Sequence, residues 1–470
     1  MIAQLLNRDF VLEQMRDIHG RLASGEPGTV DARRDLAPED RRDALDALDA
    51  ALSREQEGSS GQHVADAPAD RRGRVPAPID DFSFISHDPV VSLFQSAMDE
   101  YLSASENGEP VEDVEPPDDR RAGDDPPLVT DRRLEGVAPR RADGRRLFDQ
   151  FSVTDARWVS SLFAMGLRKF RNRRPFPTER PVTRPIADTA RVLLVGDWGS
   201  GIPRAQKVAA QMRTSLDQAL AEGRECHVVH LGDVYYSGFE REYRDRFLEY
   251  WPVRKDEATK IGSWCLNGNH DMYAGGYAYF DYLLKDPRFN HWQGQFSTFR
   301  LQNRSWQIYG LDTAWDDDGL KDPQNTWVRE LTGNDPQRNI MLLSHHQLFS
   351  AHEQSESRGK VLRDKLGFLL TNPRLRAWFW GHEHRCNVFA PHSGVAYGAC
   401  IGHGGVPTYM NLGDADPLPA PSRYEYRKSI VKGLEKWGYM GYTVLDFRPD
   451  TIHATYIDEV GETHFEDDIS

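Results

Sequence analysis

Five short stretches of this sequence carry side chains able to ligate metal ions. They are Gly196-Asp197-Trp198-Gly199, Gly232-Asp233-Val234-Tyr235-Tyr236, Gly268-Asn269-His270-Asp271, Ser344-His345-His346 and Gly381-His382-Glu383-His384. Carboxylate, carboxamide oxygen, phenol and imidazole together suit borderline-to-hard ions such as Fe, Mn or Zn. No thiol belongs to the set, so a cysteine-rich structural zinc site is not indicated. Glycines beside the donors allow tight turns and close backbone approach. His382 and His384, two residues apart, are able to address two different ions. Taken singly, each stretch has a plain reading: Asp197 as a helix cap, Gly232-Asp233 and Asn269-His270 as turns, Tyr235 and Tyr236 as core aromatics. Taken together, five donor-bearing loops in one stretch of chain point to a shared metal site.

The elements that would position these donors follow from the apolar runs before them. RVLLVGD and CHVVHLGD each read as a buried strand ending in a polar loop, and a helical pattern over about 203–222 joins them into a βαβ unit. SWCLNGNHD, NIMLLSHH, LRAWFWGHEH and AYGACIGHGG repeat the theme. FSTFRLQNRSWQIYGLD reads as two strands turning near Asn303, and MGYTVLDFRPDTIHATYID as a hairpin around Arg448-Pro449-Asp450. Ligand sites of open α/β sheets lie at the carboxyl ends of the strands, where these donors fall. Asp312 and His403 could line the edge of such a site, or simply be strand-end and loop residues.

Residues 1–185 have a different texture. Helical patterns are expected over about 2–24, 38–53, from Asp88-Pro89 onward and over 154–171, where Asp88 can cap and Pro89 can take the first helical position. Polar, Pro- and Gly-rich linkers over about 54–78 and 104–146 carry too few apolar residues to offset the entropy of ordering. The expected organisation is a mainly helical region over 1–185 and a catalytic domain over 186–470.

The chain has 470 residues and a formal net charge of −15. That acidic balance argues against a nucleic-acid partner, which calls for a basic footprint. Four cysteines without a CxxC pair do not form a disulfide framework. No apolar run reaches the roughly 20 residues that span a bilayer, and no secretory leader is read at the amino terminus. A cytoplasmic location without membrane association is the expectation.

The five blocks, in this order, resemble the calcineurin-like metallophosphoesterases. Within that superfamily they are most similar to purple acid phosphatases of the small, tartrate-resistant type. Most superfamily members carry a metal-binding histidine in the first block, where this chain has Gly199; purple acid phosphatases compensate with the tyrosine three residues after the second-block aspartate, here Tyr236. The resemblance implies a four-layer α/β/β/α sandwich. It assigns Asp197, Tyr236 and His384 to one metal, Asn269, His345 and His382 to a second, and Asp233 to both. His345 aligns better than His346. The implied cofactors are two metal ions, Fe paired with Fe, Zn or Mn. The implied activity is hydrolysis of phosphate esters by in-line attack of a metal-bound hydroxide. His270 would stabilise or protonate the reacting group, Asp271 would orient it, and His352 would be a second substrate-facing histidine. Alternatives are a phosphodiesterase acting on cyclic nucleotides or nucleic acid, and a scaffold whose N-terminal helices bind a protein partner.

Overall fold

The computed structural model describes residues 8–24, 38–57, 85–107, 153–181, 183–316, 319–352, 359–408, 410, 421–432 and 435–470. The linkers expected over 54–78 and 104–146 fall mostly outside these residues. The chain divides into two compact units, Met1–Asn172 with Tyr273–Gly275, and Arg173–Met272 with Gly276–Ser470.

The first unit is helical: α1 (Arg8–Ser24), α2 (Pro38–Glu57), α3 (Pro89–Asn107) and α4 (Val153–Arg171). Each buries an apolar stripe, such as Val11, Met15 and Ile18 on α1 and Leu162, Phe163 and Leu167 on α4. The expected cap forms, with Asp88 Oδ1 accepting the backbone N–H groups of Val90 and Val91 at 2.8 and 3.2 Å.

The second unit contains two main sheets. In chain order its strands are β1 (Thr183–Pro185), β2 (Arg191–Val195), β3 (Cys226–His230), β4 (Ile261–Cys265), β5 (Phe299–Gln302), β6 (Trp306–Leu311), β7 (Asn339–Ser344), β8 (Leu375–Trp380), β9 (Cys386–Phe389), β10 (Tyr397–Ile401), β11 (Ser422–Glu425), β12 (Ser429–Lys432), β13 (Glu435–Gly438), β14 (Gly441–Phe447), β15 (Ile452–Asp458) and β16 (Thr463–Ile469). One sheet runs β1-β5-β6-β7-β8-β10-β9-β11 and the other β16-β15-β14-β2-β3-β4; β12 and β13 pair separately. β2, β3 and β4 are parallel and wholly buried, as strands covered on both faces must be.

The two sheets face each other across one apolar core, where Leu194, Val229 and Trp264 of one meet Ile308, Met341 and Phe379 of the other. Outside the eight-stranded sheet, Trp327 and Val328 of the helix Gln324–Asn334 and Leu362, Leu366 and Leu369 of the helix Lys360–Leu370 pack on Leu342, Trp378 and Trp380. Outside the other sheet lies helix α5 (Pro203–Ala221), burying Val208, Met212 and Leu216. The architecture is the expected α/β/β/α sandwich. The turn at Asn303 forms, its side-chain oxygen accepting Ser305 and Trp306 N–H. The hairpin at Arg448 forms as well, and β16 extends it by a third antiparallel strand that the sequence reading omits.

Candidate metal centre

β2, β3, β7 and β8 end side by side, so their following loops converge at one edge of the sandwich. Asp197, Asp233, His382 and His384 hold backbone φ of 56, 77, 69 and 42°, in the left-handed region that non-glycine residues rarely occupy. Strain of this kind persists only where surrounding structure enforces it, and it concentrates at functional sites.

The donors gather in two adjoining clusters. In one, Tyr235 Oη lies 3.1 Å from Asp197 Oδ1, 3.1 Å from Asp233 Oδ2 and 2.9 Å from His384 Nε2. His384 Nε2 is also 3.4 Å from Asp197 Oδ1. In the other, Asn269 Oδ1 lies 2.9 Å from His345 Nε2 and 3.0 Å from His382 Nδ1, and the two ring nitrogens are 3.3 Å apart. Asp233 belongs to both, because its Oδ1 is 3.5 Å from His345 Nε2 while its Oδ2 faces Tyr235. His345 Nδ1 sits 3.0 Å from the Leu231 carbonyl and must donate there, which leaves the Nε2 lone pair for a ligand.

The residues fit a pair of cations. With metal–donor bonds of about 2.1 Å, donors on one ion stand roughly 3.0–3.4 Å apart, the spacing found in both clusters. Asp197 and Asp233 are fully buried, and neither has a Lys or Arg partner among the described residues. Burial, with the Asp197 and Asp271 charges nearby, pushes the Asp233 carboxyl well above the usual carboxylate range. Positive charge in the clusters would remove that penalty.

Glycines shape the enclosure. A Cβ on Gly268 would press on the Asp233 carboxylate and stand 2.7 Å from His345 Cε1; one on Gly381 or Gly402 would meet Asp197 Oδ2. At Gly199 it would stand 2.7 Å from Val234 Cγ2 and 2.8 Å from the Asp233 carbonyl, so no histidine fits there without moving the second loop.

The structure departs from the sequence expectation at the tyrosine. The hydroxyl that meets Asp197, Asp233 and His384 is that of Tyr235, the neighbour of the expected Tyr236. Tyr236 is buried with the Arg246 guanidinium 4.5 Å from its ring centroid. Arg246 also donates to the Tyr235 carbonyl at 2.6 Å, so one side chain fixes both tyrosines. Both histidines of the doublet lie near His382, and their ligand atoms fall within 4.8 Å of one another. The His346 ring meets Thr313 Oγ1 at 3.1 Å, although it stays 4.8 Å from the His382 ring.

His270 Nδ1 faces the Tyr236 carbonyl at 2.6 Å, and its Nε2 is 4.0 Å from Asp233 Oδ2. Burial pushes this imidazole down to about 3, so it is neutral near pH 7. Asp271 does not orient the His270 ring in any described contact. Its Oδ2 accepts Asp233 N–H at 2.8 Å and Gly268 N–H at 2.6 Å, and Tyr243 donates to its Oδ1. It therefore ties two donor loops together, which requires a carboxylate although burial raises the group to about 7. His352 Nε2 pairs with Glu425 Oε1 at 3.1 Å and Asn387 Nδ2 at 3.2 Å, and no described contact joins it to the donors.

Sequence reasoning missed a second tier of supports. Glu242 accepts the backbone N–H groups of Tyr236, Ser237 and Phe239 at 2.6, 3.0 and 2.9 Å, gathering the second loop onto one carboxylate. Tyr243 and Arg246 come from the π-helical turn Tyr243–Leu248, a local geometry often found at functional sites. Only the Tyr-Tyr doublet left a trace of any of this in the sequence.

Residues 190–386 match the family model described as calcineurin-like phosphoesterase. With the converging donors, that match places this part of the chain among the metal-dependent phosphoesterases. No curated protein matches the chain. Among solved structures it is similar to GAP50, the anchor in the inner membrane complex of Plasmodium, at 13% identity and TM-score 0.41, covering 60% of this chain and 89% of that one. It is similar to a dimetal phosphatase from Danio rerio at 12% identity and TM-score 0.36, covering 60% and 99%. A 5'-nucleotidase from Candida albicans matches at 13% identity and TM-score 0.30, covering 58% and 54%.

Proposed function

We propose that the chain hydrolyses phosphate monoesters in the manner of purple acid phosphatases, with Asp197, Tyr235 and His384 holding iron, Asn269, His345 and His382 holding iron, zinc or manganese, and Asp233 shared between them. The observation that carries this reading is the paired change at the first cluster. Gly199 leaves no room for a histidine, and the Tyr235 hydroxyl stands beside Asp197, Asp233 and His384 instead.

The two ions, when bound, supply charge neutralisation for phosphate oxygens and acidify a coordinated water. The chain's own groups do the rest. His270 has Nδ1 committed to the Tyr236 carbonyl, so proton exchange with the substrate is left to Nε2, which faces the shared aspartate. Asp271 and Glu242 keep the second and third loops in register. The described contacts give His352 no part in these steps. Residues 1–185 act as an accessory helical module, able to recruit a protein partner, beside a catalytic domain over 186–470.

Turnover of p-nitrophenyl phosphate and of its bis ester, measured with Fe, Mn or Zn, tests the proposal alongside elemental analysis. Monoester hydrolysis that requires two equivalents of metal is expected. Absence of turnover with every metal, together with absence of bound metal, would overturn the reading; preference for the bis ester would replace the monoester assignment.

A further inference from the structure

Besides the seven donors, one thiol and two imidazoles converge. Cys386 begins β9 in the eight-stranded sheet, His403 follows β10, and His464 lies on β16 at the edge of the six-stranded sheet. Their ligand atoms lie within 4.8 Å of one another. His403 is 4% exposed, and neither of its ring nitrogens meets a partner at hydrogen-bond geometry. His464 Nε2 is likewise buried without a partner, while its Nδ1 faces the Tyr424 hydroxyl at 2.9 Å.

Buried polar atoms are rarely left without a partner, so two such imidazoles beside a buried thiol call for a shared one that takes one nitrogen from each ring. Hydrophobic packing does not provide one. Glycine keeps the space open: a Cβ on Gly441 would come within 2.7 Å of His403 Nε2. Cys386 and His403 also line a small cavity with Thr408, Met410 and Tyr426, which offers an approach.

We propose that Cys386, His403 and His464 form a third metal site, distinct from the phosphoesterase pair, that takes a single Zn²⁺ ion. One thiolate and two imidazoles are borderline-to-soft donors that favour zinc over magnesium, calcium or manganese. Both histidines are neutral near pH 7, because burial pushes His403 down to about 3 and His464 down to about 4. With its Nδ1–H donated to the Tyr424 hydroxyl, 2.9 Å away, His464 presents Nε2 as the ligand atom, and Tyr426 stacks on that ring with centroids 3.6 Å apart, setting its plane. On binding, the Cys386 S–H bond gives way to an S–Zn bond and the proton leaves to solvent; a water completes four-coordination. Donors on one zinc ion stand about 3.4–3.6 Å apart, so the three side chains need close in by only about 1 Å. The ion would then clasp strands of both sheets.

Titration of the metal-free, full-length protein with Co²⁺ tests this independently of the phosphoesterase reading. None of the seven proposed phosphoesterase donors is sulfur, so thiolate-to-cobalt charge transfer in the near ultraviolet reports this site alone. Three equivalents of cobalt are expected, with that band present and bleached by added Zn²⁺. Cys386→Ser should remove the band and one equivalent, leaving the other two. His464→Gln, at a partly exposed position that tolerates change more readily, should weaken the band's cobalt affinity at least about tenfold. Two equivalents with no thiolate band in the unmodified protein would overturn the proposal, as would a band that survives in Cys386→Ser.

Discussion

Replacing Gly268 with alanine places one methyl group against the shared carboxylate and leaves every proposed donor in the sequence. The new Cβ would meet Asp233 Oδ1 and stand 2.7 Å from both Asp233 Cγ and His345 Cε1, where ordinary contact begins at 3.4 Å. The imidazole must therefore retreat by about 0.7 Å and the Asp233 carboxylate oxygen by about twice that, whereas metal–ligand distances hold to within about 0.2 Å. A misplacement approaching 1 Å costs about 100-fold in rate. Gly268→Ala should accordingly lower kcat/KM for p-nitrophenyl phosphate about 100-fold or more and release at least one metal equivalent. Overpacking alone accounts for about 1–3 kcal/mol in the metal-free protein, so the fold should survive and thermal melts should separate the two effects. Gly333→Ala is the matched control, since nothing lies within 4 Å of its Cβ position on the helix Gln324–Asn334. It should leave kinetics unchanged and stabilise by about 0.5–1 kcal/mol. Two equivalents of metal in Gly268→Ala, with kcat/KM within about threefold of the parent, would refute the placement of Asp233 between the ions.

Iron-loaded, oxidised protein should be coloured by tyrosinate-to-iron charge transfer; Tyr235→Phe should abolish the colour and Tyr236→Phe should keep it, with the reverse outcome returning the ligand role to Tyr236. Glu242→Ala leaves three buried backbone N–H groups unpaired at about 1–3 kcal/mol each, so melting should fall measurably and metal affinity should drop at least about tenfold. Glu425 gives a pH test. Burial pushes its carboxyl up, but hydrogen bonds from His352 and Arg427 and the Arg385 charge outweigh that and hold it at about 2, against 4.5 in the free residue. The unfolded chain then binds more protons between those values, so stability rises with pH across that window and is lost as pH falls through it. Denaturant midpoints measured from pH 5 to 2 should show this slope reduced in Glu425→Gln.

Much of the candidate site was legible in the chain because strands announce themselves. A buried parallel strand needs an unbroken apolar run, and the polar residues that follow it lie at the sheet edge; this is why the sequence alone puts Asp197, Asp233, His345 and His382 on one rim. The α/β/β/α architecture followed from the same runs together with the family resemblance. The third strand β16 was not legible, since THFEDDI offers only Phe465 and Ile469 as an apolar face among polar residues, and it pairs as an edge.

Tertiary structure alone decided matters that depend on direction and distance. Sequence spacing put a tyrosine in the second loop but could not say which of two adjacent rings turns inward; Arg246, ten residues beyond Tyr236, holds both. Spacing suggested that Asp271 serves its neighbour His270, whereas its carboxylate reaches across to Gly268 and Asp233. Residue types and order fix which donors are available at a sheet edge, because those follow from local periodicity. Which donors meet, and which side chains hold them, depends on contacts between residues such as Cys386, His403 and His464 that are far apart in the chain and become neighbours only when the two sheets close on each other.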